Sequence, residues 1–323
     1  MVARLLTAAF ALAVALPALT AGAADAPGRP IRAIIPSAGG GAPDFLMRVL
    51  LAEVTAQTGR QFVIDNRPGG SGLIGMEMIA HATPDGLTIG YGNAPTLAIN
   101  PSLFSKLPYN VAKDYTPVMR LNSSQNLLAV RNSLAVQSVR ELVEYARKYP
   151  DKLSYASPGN GTTIHLSAEL FKQMTGTRML HVPYKSITQA LTELIAGQVD
   201  LIFDNLTSIA PQAKAGKVRA LAVTGPQRSP LFPDLPTVAE AGVPGYEVTT
   251  WGGVIAPAGL PPAVLARLSA DLTRACASAA VKDKLATVGN QCVGGTPAEF
   301  SAFIRSETAK WADVVRKSGA KLD

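Results

Sequence analysis

Four stretches of this sequence set small or hydroxylated residues between an apolar run and an amphipathic one, where backbone amides can meet a ligand. In "IIPSAGGGAPDF", residues 34–45, an apolar run ending at Pro36 meets Gly39, Gly40 and Gly41 before a helical pattern begins near Asp44. The first amides of a helix have no partner within it and lie at the positive end of its dipole. Such a junction suits an anion, and glycines let the anion come close. Asp44 is placed to cap the helix. The stretch "SPGNGTTIHL", residues 157–166, repeats the arrangement and adds the hydroxyls of Thr162 and Thr163, which ordinary N-capping would also explain. In "FDN", Asp204 and Asn205 end an apolar run, where α/β sheets gather their ligands and where turns also favour these residues.

The fourth stretch, "NRPGGSGLIG", residues 66–75, carries Gly70, Gly72 and Gly75 in the spacing of a dinucleotide fingerprint. That fingerprint needs a carboxylate at the end of the next strand, and "LTIGY" is followed by Gly92 and Asn93 instead. A tight turn opening a helix is the better reading. The same glycines lack the last position of a nucleophile elbow. His81, His165 and His181 show no metal-ligand spacing, so neither a metal nor a cofactor is expected. The chain's net charge of +7 is spread along it without a run of four basic residues, which argues against nucleic acid and for a field that favours small anions. Cys276 and Cys292 are the only cysteines. They form a disulfide in an oxidising compartment if the fold brings their Cα atoms close enough, which spacing alone leaves open.

An apolar stretch, "LLTAAFALAVALPAL", follows Arg4 and gives way to small residues, the pattern of a cleaved secretory signal over residues 1–23. The mature chain is then expected to be soluble and exported. Beyond it, strand-like runs such as "IRAIIP", "KLSYA" and "VDLIFD" alternate with segments such as "VRELVEYARKY" and "ITQALTELIAGQ", whose apolar residues recur at three and four. That alternation predicts an α/β protein of mostly parallel sheets flanked by helices, and the C-terminal part reads as helical. With 47% hydrophobic residues over 323 positions there is material for two domains. They are assigned to residues 24–124 plus 250–323 and to residues 125–249, crossed by the extended segments around residues 117–130 and 245–261.

The motifs "VIDNRPGGSGLIG", "ATPDGLTIGYG", "LSYASPGNGTTIHLSAELF", "HVPYKS", "LIAGQVDLIFDN" and "RSPLFPDLPTVAEAGVPGYE", in this order, resemble the substrate-binding proteins of tripartite tricarboxylate transporters, the Bug receptors of bacterial periplasms. The resemblance runs over nearly the whole mature chain. It implies a two-lobed, type II periplasmic-binding-protein fold that closes on a small organic carboxylate, acts as a monomer without bond chemistry, and serves membrane permease subunits or a sensor kinase. Carried onto this sequence, the ligand-binding positions are Ser37, Gly40, Gly41 and Asp44 on one lobe and Asn160, Gly161, Thr162 and Thr163 on the other. Asn93, Thr96 and Asp204 complete the lining. Ser37 stands where the family usually has an aromatic, Gly252 where a bulky residue is frequent, Leu73 where asparagine is common and Ser186 where glycine is. The first two changes predict a wider cleft. The competing reading is an exported α/β enzyme that uses the glycine loops for a phosphate or nucleotide.

Overall fold

The computed structural model describes residues 29–322; the expected signal over residues 1–23 lies outside them. The first lobe begins with β1 (Ile31–Ile35), α1 (Ala42–Thr58), β2 (Phe62–Asn66), α2 (Leu73–Ala80) and β3 (Thr88–Asn93). A π turn over Pro95–Ile99 runs into α3 (Asn100–Leu103), and α4 (Val111–Asp114) leads into the sixteen-residue β4 (Tyr115–Val130). The second lobe is built from α5 (Val139–Lys148), β5 (Ser154–Ser157), α6 (Thr163–Thr175), β6 (Leu180–Pro183), α7 (Ile187–Ile195), β7 (Leu201–Asn205), α8 (Leu206–Lys214) and β8 (Arg219–Val223). The chain returns through β9 (Thr249–Pro257) and finishes the first lobe with α9 (Pro262–Ala277), α10 (Ala279–Ala286), β10 (Asn290–Gly294) and α11 (Pro297–Ser318).

Local chemistry sets these boundaries. The Oγ atoms of Ser138 and Ser186 accept the amides of Glu141 and Gln189 at the starts of α5 and α7, and Thr296 and Glu299 form a reciprocal capping box on α11. Ser186, a departure from the family pattern, is thus a helix cap. Gly59 and Gly176 end α1 and α6 in the left-handed region, at φ 74° and 63°, where a side chain would strain the backbone.

The order of the ten-stranded sheet is β2-β1-β3-β9-β4-β7-β5-β6, with β10 and β8 also paired to β4. The strands joined by helices, β1 with β2 and β3 and β5 with β6 and β7, run parallel as their crossovers require. β4 and β9 are antiparallel to their neighbours, so the sheet is mixed where the lobes meet. β4 pairs with β9 and β10 up to Gln125 and with β7 and β8 from Asn126 onward. The segments expected to be crossings between domains are therefore long strands, and one of them is common to both halves of the sheet.

Three apolar cores follow this layout. Leu46, Met47 and Leu50 of α1 pack with Leu268 and Leu272 of α9 on the first lobe, and Leu191, Leu194 and Ile209 pack under α7 and α8 on the second. The largest core spans both: Trp311, Val314 and Val315 of α11 join Met76 and Leu97 to Tyr155, Phe171 and Phe203.

Candidate functional site

The ends of β1, β3, β5 and β7 and the helices that follow them enclose two connected cavities of about 440 and 580 Å³ between the lobes, both lined by Asn93, Pro95, Pro158, Thr163, Ile164 and Asn205. The smaller is closed by Ser37, Thr96, Asn160, Gly161 and Thr162, together with Ser71 and Gly72. The larger extends past Ala42 and Pro43 of α1 to Tyr91, Asn122, Thr207 and Trp251. Among the described residues, no lysine, arginine, histidine, aspartate or glutamate lines either one. An anion here would meet only neutral donors and helix ends.

The start of α6 is the better prepared of these ends. Thr162 is its N-cap: the hydroxyl accepts the His165 amide at 3.2 Å and donates to the Gly159 carbonyl at 2.9 Å, so it has no hydrogen to spare for a ligand. The Gly161 amide is also engaged, donating to His165 Nδ1 at 3.2 Å. The Leu166 amide closes onto Thr162, which leaves the first-turn amides of Thr163 and Ile164 to the cavity. Thr163 adds a hydroxyl on the same wall.

The first loop differs from its expected role in two respects: Gly40 and Gly41 line neither cavity, which α1 reaches through Ala42 and Pro43, and Asp44 neither caps the helix nor lines a wall. Gly41 is the N-cap of α1 and makes no side-chain cap. Asp44 lies inside the first turn, almost fully buried, where Oδ2 accepts the Gly40 amide and the Arg48 guanidinium, each at 2.9 Å. These partners, the Arg48 bond first, hold its carboxyl below the usual range. Asp44 is absent from the cavity walls; it fixes the glycine loop from behind and keeps its charge occupied. Ser37, by contrast, lines the smaller cavity with a buried Oγ that has no protein partner.

Asn93 and Thr96 lock each other. The Thr96 hydroxyl accepts the Asn93 amide at 3.0 Å, and Asn93 Oδ1 accepts the Thr96 amide at 3.1 Å. Asp204 is wholly buried and outside the walls. It accepts the Asn205 amide and the Ser208 hydroxyl, and burial pushes its carboxyl up to about 7. Its neighbour Asn205 takes the wall position, with a buried Oδ1 that has no protein partner.

Ser71 and Asn100 were not among the expected site residues, and Asn205 was singled out only with Asp204 as the end of a strand. Ser71 holds a left-handed φ of 55° inside the Gly70–Gly72 turn, and its carbonyl accepts Asn100 Nδ2 at 3.3 Å. The α2 that follows the turn packs tightly on the residue after β1: a Cβ on Gly75 would lie 2.8 Å from the Pro36 Cα. A non-glycine in positive φ carries no mark in the sequence, but the glycine cluster around it did. Gly252 does not widen the cleft, since Tyr91 fills its space and a Cβ there would sit 1.9 Å from the phenol oxygen. That phenol donates to Asn122, which donates to Asn290, at 3.0 and 2.9 Å, forming a rigid polar floor. Leu73 packs into the core rather than facing the cavities.

The model of the family described as "Tripartite tricarboxylate transporter family receptor" matches residues 46–320. BugT of Bordetella pertussis is 34% identical over 92% of this chain and 91% of its own. Among solved structures, Rpa4515 of R. palustris with adipate is 39% identical, with a TM-score of 0.80 over 92% of this chain and all of that one. MatC (Rpa3494) of Rhodopseudomonas palustris with bound malate is 32% identical, with a TM-score of 0.75 over 90% of this chain and 99% of that one.

Proposed function

The chain belongs to the tripartite tricarboxylate transporter family of receptors, and from that premise we propose that it captures a small organic carboxylate between its lobes and presents it to the membrane permease subunits of such a transporter. One observation carries the ligand class: the α6 start, with the free amides of Thr163 and Ile164, and the α1 start face one cleft that has no acidic side chain among the described residues. Oriented amides and helix dipoles stabilise an anion without a cation, and at a low-dielectric site they do so without reorganisation. The relatives solved with adipate and malate support the same class.

The switch of β4 from one set of partners to the other between Gln125 and Asn126 supports a division into residues 24–124 plus 250–323 and residues 125–249, with β4 and β9 as hinges. In this reading the signal over residues 1–23 is removed on export and the mature monomer works in the periplasm. No helix among the described residues is long and apolar enough to cross a membrane.

A thermal-unfolding panel of C3 to C8 mono- and dicarboxylates, each beside its amide, tests the ligand class. A true ligand at 100 times its Kd adds about 2.7 kcal/mol of stability, and its amide adds little. Stabilisation by sugars or cations alone would overturn the proposal.

A further inference from the structure

A cavity of about 410 Å³ lies beside the hinge and shares only Ser124 and Asn290 with the two cavities of the cleft. Both lobes build it. Arg120 and Gln125 come from β4, Val293 from β10 and Phe303 from α11, while Leu206 and the turn over residues 226–231 come from the second lobe.

Arg120 is the unusual member. Its guanidinium lies 3.7 Å over the Phe303 ring and makes one hydrogen bond, from Nη2 to Ser123 Oγ at 3.2 Å. Nε is buried with no partner, and among the described residues no carboxylate lies within ion-pair distance of it. The half-buried Arg131 and Arg60 each have an aspartate, Asp200 and Asp271. Burial draws the Arg120 pKa down only to about 10, so it stays charged at neutral pH. A partly buried guanidinium without a direct ion pair is costly, and the carboxylate that acts on it most through space, Glu307, is already engaged by Lys310 and by the Trp251 and Trp311 indoles. Gln125 Oε1 is likewise buried without a partner. Of the other charges in the wall, Arg228 is paired with Glu240 at 3.0 Å, and Glu247 favours the charged form of Arg120 only through space, from a solvent-exposed position that screens it and without an ion pair.

We propose that this hinge cavity is a second ligand site, taking a small carboxylate with a flat or branched apolar body, whose carboxylate meets Arg120 and whose body lies against Leu231, Val293 and Phe303. Arginine matches a carboxylate in shape as well as charge, and its stacking on Phe303 holds the fork in place. The site is separate from the carboxylate cleft, which has no cation among the described residues, and does not depend on what the cleft binds.

Benzoate is the probe, with benzamide as its neutral twin. In amide NMR of the labelled mature protein, benzoate should shift the signals of Arg120, Leu231, Gln291 and Val293 and leave residues 160–164 in place, and benzamide should do neither. Arg120→Gln should weaken benzoate at least tenfold, the loss expected for a charge-assisted bond. Val293→Glu should do the same by placing an anion at the mouth; Val293 is 45% exposed, so this variant keeps its fold. Shifts centred on residues 160–164, equal response to benzamide, undiminished affinity in both variants, or no saturable shift below about 10 mM would each overturn the proposal.

Discussion

Thr163 and Thr162 are adjacent hydroxyls with opposite fates. The Thr162 hydroxyl is spent on the helix cap, while the Thr163 hydroxyl faces the cleft. Thr163→Val keeps the shape and removes one donor, so it should lower affinity for the carboxylate about tenfold to a hundredfold with little change in melting temperature. Thr162→Ala should lower stability by about 1 kcal/mol instead. Calorimetry and thermal melts on both variants check the assignment, and the reverse pattern would refute it. Asp204 and the stacked histidines of α6 and β6 give a second residue-scale outcome. Burial raises the Asp204 carboxyl to about 7 from 3.8, so the stability it permits is full below pH 4 and declines as pH rises to about 7. His165 and His181, stacked 4.2 Å apart, are drawn by burial down to about 3 and 4, so their contribution is present above pH 6.5 and lost as pH falls. Asp204→Asn keeps an acceptor for the Asn205 amide. It should match the parent near pH 4 and gain on it up to about pH 7, with a level advantage above, as read from urea unfolding at each pH.

At the scale of elements, the disulfide between Cys276 at the end of α9 and Cys292 in β10, Cα atoms 5.7 Å apart, fastens the last edge strand to the helix beneath it. Its loop is short, with a sequence separation of 16, so reducing it should cost about 3 kcal/mol on the chain-entropy model. Mass spectrometry of the exported protein alkylated without reductant should find no free thiol, and two alkylated cysteines would count against the bridge. Helices and their entry loops were legible in the sequence because period and capping residues are local: α5 and α7 stand within a few residues of their expected spans. β4 and β9 were legible only as extended segments, because Asn122, Ser123, Ser124, Gly252 and Gly253 read as turn formers, and what makes them strand is pairing with partners more than a hundred residues away. The site divided along the same line. Thr163 and Asn160 were legible from the loop they sit in, whereas the withdrawal of Asp44 and Asp204 behind the walls depends on Arg48 and Ser208, whose direction no spacing reveals.

At the scale of the molecule, the open question is how far the lobes can rotate. In the proposed division the chain crosses between the lobes in β4 at Gln125–Asn126 and next to the start of β9 at Thr249, but α11 adds a third tie: its Trp311, Val314 and Val315 enter a core shared with Phe171 of the second lobe, and Gln173 Nε2 donates to the Val314 carbonyl. Glu307 sits at the root of this tie, accepting both Trp251 Nε1 at 2.8 Å and Trp311 Nε1 at 3.0 Å. A helix packed against both lobes favours small rotations that slide side chains over wide opening that would expose the core. Ligand in the cleft is then expected to compact the protein slightly, by shifting an existing equilibrium in proportion to its extra affinity for the closed form. Gly41→Asp isolates that effect. The position has φ −78° and ψ 172°, a conformation suited to an aspartate cap, and its Cβ would come no nearer than 3.5 Å to Ala38 O. The fold should therefore be kept or slightly stabilised, by a few tenths of a kcal/mol. The added charge at the α1 end should repel the anion and abolish both binding and compaction. Small-angle scattering of the two proteins, with and without the carboxylate identified by the thermal panel, reads this directly. Compaction in Gly41→Asp equal to the parent's would show that α1 is not one of the jaws.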